Sequence, residues 1–308
     1  MENIHQIEPA GKSDDSADER GAMNVSESTK PDLDLNFSSE DELEKKLMDP
    51  DIRLTHNDFL ILMSFRLPII AVRDSDGVLS IKESRSLLYP PIYRLKDKGM
   101  INFKWVGWPG IFPRDEHEKL RVQELLAQYQ CYPVWIPQDI MDKFLLFHEQ
   151  FMRPLFHNFK STSDTAIDQH NSELWHAYCE VNSLFVSSLI QVKRERELVW
   201  IHDVYLLLTP FYLKKKDLNA NIGFFMHSPF PCSDIMKTFQ YRTEIMKSLL
   251  CSDLIGFHRF EYARNFSASC RKLLLLNIVT KKGGFIGVEY NGRTILLKAS
   301  HIGIEQDQ

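Results

Sequence analysis

The 308 residues are 44% hydrophobic and carry a formal net charge of −5, enough apolar material for a packed core of one large domain or two. The charge is uneven: residues 1–50 hold 14 acidic and 5 basic side chains, which leaves +4 on the remainder and no nucleic-acid-binding surface. Five scattered cysteines without Cys-x-x-Cys spacing support neither a disulfide framework nor a zinc site and point to the reducing cytoplasm, while no apolar run approaches the roughly 18 residues of a membrane span.

Residues 1–36 are rich in Ser, Asp, Glu and Asn and poor in large apolar side chains, so they read as a disordered acidic tail. Residues 37–58 read as a lead-in, with Ser38 or Ser39 capping a short helix at 40–47. The fold proper is expected from Phe59.

Phe59–Phe65 reads as a buried strand, followed by Arg66-Leu67-Pro68. The next segment, IIAVRDSDGVLSIK, reads as a hairpin turning at Asp76-Gly77. Residues 84–97 read as a helix interrupted by Pro90-Pro91, and Phe103–Val106 as a strand closing in Gly107-Trp108-Pro109-Gly110. Trp105 is expected in the core. A helix over Glu116–Gln128, a strand over Tyr132–Ile136 and a helix opened by Pro137 and running to about Phe151 complete this half.

Polar residues 160–170 read as a loop. From Ser172 to Arg196 the spacing predicts a long helix with Leu174, Tyr178, Val181, Phe185, Leu189 and Val192 on an ordinary core face. Two short apolar runs, Leu198–Ile201 and Ile222–Met226, flank residues at helical spacing that end in Lys214, Lys215 and Lys216. This is a βαβ unit, whose parallel strands bring Asp203 and His227 to one carboxyl edge, where open α/β folds hold ligands. Two readings fit that pair: a carboxylate and an imidazole holding the hydroxyls of a polar small molecule, or a helix cap and a loop histidine.

A helix over Ile235–Leu250, a strand over Asp253–Phe257 and a helix over Phe260–Leu276 follow, the last with Ala263, Phe266, Cys270 and Leu274 inward. His258 fits either a place near the cleft or a helix start. The final strands, Phe285–Tyr290 and Thr294–Lys298, join at Asn291-Gly292, a strong hairpin signal. Lys281-Lys282-Gly283-Gly284 has no following helix and is no phosphate loop. The whole is expected to be a doubly wound, mostly parallel α/β domain with one or two inserted hairpins; the resemblance below implies that its sheet is Rossmann-like.

The stretches VWIHDVYLLLTP, IGFFMHSPFP, SDLIGFHRFEYARNF and GRTILLKASHIGIE, with RLP at 66–68 and WVGWPG at 105–110, resemble the trehalose-6-phosphate synthase family. The likeness covers about residues 59–305 and looks most like the divergent plant class with a fused phosphatase-like region. It implies a retaining glucosyltransferase that joins UDP-glucose to glucose 6-phosphate, built from two Rossmann-like domains, with UDP-glucose as a substrate and no cofactor. It further implies that these residues form the acceptor-side domain, with the donor-binding domain absent from them. Another trehalose synthase subunit is an implied partner. In the family the donor's own phosphate oxygen assists the incoming hydroxyl, so catalysis rests on positioning and electrostatics rather than on an enzyme nucleophile.

The resemblance carries residue roles with it. Arg66 matches the arginine near the acceptor phosphate, Asp203 the aspartate that binds acceptor hydroxyls, and His227 the histidine against the donor glucose. Other positions depart. Phe65 stands for the family's asparagine, and Arg85-Ser86-Leu87 aligns with its Gly-Gly-Leu phosphate loop, where side chains obstruct close backbone approach. Phe144 replaces a tyrosine whose hydroxyl holds the acceptor phosphate, a loss of roughly 1.5–3 kcal/mol, or about tenfold to a hundredfold in binding. Arg153 replaces an indole, either restoring a phosphate contact by charge or facing solvent. The departures leave a second expectation: a catalytically inactive sugar-phosphate-sensing or scaffold module.

Overall fold

The central strand, β1 (Phe59–Arg66), buries side chains on both of its faces. Ile61, Met63 and Phe65 point into one apolar cluster, Leu60 and Leu62 into the other. A strand buried on both sides belongs inside a parallel sheet covered by helices, and a computed structural model shows that arrangement. It describes residues 59–83, 89–157, 169–195, 197–280 and 285–300. The expected tail at 1–36, the lead-in at 37–58, Ser86 and Lys281–Gly284 lie outside the described residues.

The remaining strands are β2 (Ile69–Arg73), β3 (Leu79–Glu83), β4 (Asn102–Trp108), β5 (Cys131–Pro133), β6 (Leu198–His202), β7 (Asn221–Met226), β8 (Leu254–Phe257), β9 (Ile278–Thr280), β10 (Ile286–Tyr290) and β11 (Arg293–Ala299). The main sheet has nine strands in the order β5-β4-β1-β6-β7-β8-β11-β10-β9. Pairing is parallel from β5 through β11 and antiparallel at β10 and β9. β2 and β3 form a separate hairpin around Gly77, whose φ is 85°.

Among the described residues the helices are α1 (Tyr89–Asp97), α2 (Glu116–Ala127), α3 (Gln138–Phe147), α4 (Arg153–His157), α5 (Gln169–Val192), α6 (Thr209–Lys216), α7 (Ser233–Thr238), α8 (Arg242–Leu249) and α9 (Phe260–Leu274). The larger core cluster joins one face of the sheet to side chains of α3, α5, α6, α8 and α9. The smaller joins the other face to α1, α2 and β2. Leu174, Tyr178, Val181, Phe185 and Leu189 of α5 are all buried, as their spacing predicts, and Trp105 is 1% exposed.

Several boundaries differ from expectation. α1 begins at Tyr89, so Pro90 and Pro91 occupy its first turn, where missing N–H groups break no helical bond. β5 has only three residues, Cys131–Pro133, although Val134 N still donates to Gly107 O at 2.8 Å. The helix opened by Pro137 does not end near Phe151: α3 passes through a π-helical turn, His148–Met152, into α4. The helix expected over Ile235–Leu250 is two, broken at the extended Phe239. β9 was not expected at all.

The amino edge of the sheet is tied by buried ions. Lys104 of β4 contacts Glu197, just before β6, at 2.7 Å and donates to Val192 O at the end of α5. Asp253, before β8, accepts from Ile222 N at 2.7 Å and from Arg293 of β11 at 2.8 Å. These pairs fix strand register at the edge away from the carboxyl ends.

At the carboxyl edge β1 and β4 approach closely at Gly107, where a Cβ would stand 2.7 Å from Ser64 O and 3.0 Å from Leu67 N. Both neighbours are backbone atoms, and Leu67 N–H is held by Trp108 O at 3.0 Å, so neither yields cheaply. Gly107→Ala is expected to lower stability by about 1–3 kcal/mol, read as a fall in the urea midpoint at unchanged slope.

Candidate functional site

The chain leaves β1 for β4 and β5 on one side, then returns to lay β6 on the other side of β1. That reversal puts the sheet's topological switch point at the carboxyl ends of β1 and β6, the usual ligand position of such sheets. Arg66, the last residue of β1, is exposed there, its guanidinium 5.2 Å over the ring of Trp108 at the end of β4. Asp203 follows β6 and His227 follows β7. The structure thus brings Arg66, Asp203 and His227 to one edge on three neighbouring strands.

Asp203 has φ 67° and ψ 179°, a conformation that costs a non-glycine residue on the order of 1–3 kcal/mol and persists only where its surroundings impose it. Three bonds impose it here. Its N–H donates to Phe225 O at 2.9 Å, its carbonyl accepts from Leu206 N at 3.2 Å, and its Oδ1 accepts from Ser228 N at 3.0 Å. The carboxylate therefore ties the end of β6 to the loop after β7, and makes no capping bond to the 3-10 turn Val204–Leu206.

Helix α5 holds the turn from below. The Tyr178 hydroxyl donates to Val204 O at 2.7 Å and accepts from Leu207 N at 3.2 Å. Asn182 donates to Tyr205 O at 3.2 Å, while its Oδ1 accepts from Leu208 N and from Thr209 Oγ1. Both side chains are fully buried. Sequence reasoning placed Tyr178 on an ordinary core face and passed over Asn182; a buried amide in an otherwise apolar helix face was the available signal.

Between Arg66 and Arg153 stands a stack of three rings. Tyr205 lies 4.6 Å from Phe65 at 13° and 4.0 Å from His148 at 11°. Phe65 also meets Phe144 at 5.3 Å and Trp108 at 5.9 Å. Phe144 is fully buried and stacks on Tyr178, so its ring belongs to the core beneath this edge. Arg153 is 56% exposed and pairs with Glu149 at 2.8 Å, one helical turn away. Neither Tyr205 nor His148 was singled out from the sequence.

A second group lies one strand over. His227 contacts His202 at 3.1 Å and His258 at 3.0 Å, so His258 sits beside the cleft rather than capping α9. Burial, with the nearby His227, pushes the His202 pKa down to about 3. Burial also lowers that of His227, against the opposing pull of Asp203. It lowers that of His148 too, against Glu149 and Asp203. Among the described residues no group of three or more His, Cys, Asp or Glu is placed to hold a metal ion. No helix among them is long and apolar enough to cross a membrane.

The sequence model of glycosyltransferase family 20 matches residues 59–308. The chain belongs to glycosyltransferase family 20. Its relatives include Arabidopsis thaliana alpha,alpha-trehalose-phosphate synthase [UDP-forming] 6, 36% identical over 84% of this chain and 32% of that protein. The 56 kDa subunit of the Saccharomyces cerevisiae synthase is 33% identical over 81% of this chain and 49% of its own length. Among solved structures, the N-terminal domain of Candida albicans trehalose-6-phosphate phosphatase is 25% identical with a TM-score of 0.68, over 83% of this chain and 50% of that one. A Burkholderia xenovorans synthase in complex with glucose-6-phosphate shares the fold, at 20% identity and a TM-score of 0.62 over 80% of this chain and 50% of that one. The family 20 chain described here thus spans about a third of the Arabidopsis relative and half of the yeast one.

The buried histidines set an acid limit on stability. His202 is neutral when folded and protonates near pH 6.5 when unfolded, so falling pH favours the unfolded chain. Its contribution alone removes about 1.4 kcal/mol per pH unit below that point, about 2 kcal/mol by about pH 5. Urea midpoints taken at both ends of this range should show the loss, and His202→Asn should flatten it.

Proposed function

We propose that this chain is the acceptor side of a trehalose-6-phosphate synthase-type glucosyltransferase of trehalose biosynthesis, acting in the cytoplasm. Residues 59–305 form a domain that binds glucose 6-phosphate at the β1/β6 switch point. Arg66 offsets the phosphate charge by a charge-assisted contact, Asp203 accepts hydrogen bonds from sugar hydroxyls, and His227 faces the transferred glucose. A donor-binding lobe, carried on further sequence or by another synthase subunit, brings UDP-glucose. What carries this reading is the convergence of Arg66 and Asp203 on either side of the sheet's reversal point, with His227 on the next strand.

In this reading the domain contributes orientation. Asp203 is held by its backbone and by Ser228, so its free carboxylate oxygen needs no rearrangement when a hydroxyl arrives. The leaving diphosphate is supported from the opposite lobe, and transfer requires both.

A second reading has its own observation. The Phe65–Tyr205–His148 stack, with Phe144 beneath it, sets apolar ring faces where the family has an asparagine and a tyrosine hydroxyl. That substitution favours a domain that senses a sugar phosphate or scaffolds a synthase complex without turnover.

Calorimetric titration of the 308-residue chain with glucose 6-phosphate tests the premise that the synthase and the sensor share. Binding is expected, weakened about tenfold to a hundredfold by either Arg66→Ala or Asp203→Asn, the loss of one charge-assisted hydrogen bond. Absence of binding would refute the synthase and the sensor and leave the scaffold alone. UDP release from UDP-glucose and glucose 6-phosphate, once a relative's donor lobe is supplied, selects the synthase; binding without release selects the sensor.

A further inference from the structure

The ends of β6, β7 and β8 present three histidines joined ring to ring. His202 Nδ1 lies 3.1 Å from His227 Nε2, and His227 Nδ1 lies 3.0 Å from His258 Nε2. Both polar atoms of the His227 ring are therefore engaged by other imidazoles. His202 is 2% exposed, and its Nε2 is buried without a hydrogen-bond partner. Aromatic neighbours bed the rings: Trp200 stands 4.7 Å from His202, and Phe225 stands 4.8 Å from His227 and 4.9 Å from His258. Gly256 makes that bed possible, because a Cβ there would come within 2.5 Å of Phe225 Cδ2.

This geometry constrains the protons. A neutral imidazole carries one N–H, so it donates from one nitrogen and accepts at the other. With a neutral His227 in the middle, the two hydrogen bonds must run in the same direction. If they ran toward His202, that residue would carry its proton on Nε2, a buried donor with nothing to receive it. Running outward, the same atom is a bare lone pair, the milder of the two defects.

Resting on the reading of His227 as a sugar-facing residue, we propose that His202 and His258 are positioning residues for it. His202 donates its Nδ1–H to His227 Nε2, and His227 donates its Nδ1–H to His258 Nε2. This directed relay fixes both the orientation and the tautomer of the His227 ring. Nε2 is closed off against His202, so the group a sugar hydroxyl can take over is Nδ1–H, by displacing His258. The oxygen of that hydroxyl is then an acceptor, which leaves its own proton for a second partner. Asp203 is near enough to oppose the burial that lowers the His227 pKa, and a carboxylate can accept such a proton.

The 308-residue chain labelled with 15N-histidine tests the relay without any ligand, because long-range 1H–15N spectra separate protonated from unprotonated ring nitrogens. The His227 signals are assigned by their loss in His227→Gln. The expected pattern is an unprotonated Nε2 and a protonated Nδ1. His202→Asn, whose side-chain amide supplies a donor in place of Nδ1–H, should keep that tautomer, and His202→Leu should give a mixture. A protonated His227 Nε2 in the native chain, or in His202→Asn, would overturn the proposal. So would an unchanged pattern in folded His202→Leu; if that variant does not fold, the native and Asn spectra decide. Adding glucose 6-phosphate separates this proposal from the reading it rests on. Unmoved histidine signals with the expected tautomer would sustain the relay while removing His227 from the sugar site. Moved signals with Nε2 protonated in the free chain would overturn the relay and leave the sugar site standing.

Discussion

Asp203 sits in a backbone conformation that a side chain disfavours, and the carboxyl edge is arranged around keeping it there. Its carboxylate holds Ser228 N–H across the gap between β6 and β7, so one side chain sets the relative position of two strand ends. The cost of the positive φ is offset by three hydrogen bonds on Asp203 itself and by the buried bonds that Tyr178 and Asn182 make to the following turn. A residue fixed this way presents its remaining carboxylate oxygen without searching. That is what an acceptor site for a flexible sugar needs, since orientation lost at this point would be lost to the reaction.

The two edges of the sheet are built from different chemistry. Charges at the amino edge are paired and buried, as in Lys104–Glu197 and Asp253–Arg293, and they fix register. Polar groups at the carboxyl edge are backed by rings. Arg66 lies over Trp108, Tyr205 is held between Phe65 and His148, and the three histidines rest on Trp200 and Phe225. Phe65 and Phe144 belong to this ring-lined face.

Much of this was legible in the sequence where the signal is local. Short apolar runs gave β1, β6 and β7, Asn291-Gly292 gave the β10–β11 turn, and the lysines at 214–216 marked the end of α6. Asp203 and His227 could be placed on one edge because parallel strands leave no alternative. What escaped depends on residues distant in sequence. The Phe65–His148–Tyr205 stack joins three separate elements, and no periodicity links them. Asn182 looks like any interruption of an apolar face until its partners at 205, 208 and 209 are known. His258 was undecided between cleft and helix start, and its bond to His227 spans 31 positions.

The central claim is that Arg66, Asp203 and His227 form one sugar-phosphate site at the β1/β6 reversal. Backbone amide shifts of the 15N-labelled chain, followed as glucose 6-phosphate is added, test it most directly. The account predicts that the largest changes fall at residues 66–67, 203–205 and 227–228, with the Ser228 amide among them because Asp203 holds it. Saturable changes centred elsewhere, such as the surface around Leu275–Val279, with those amides unmoved, would contradict it.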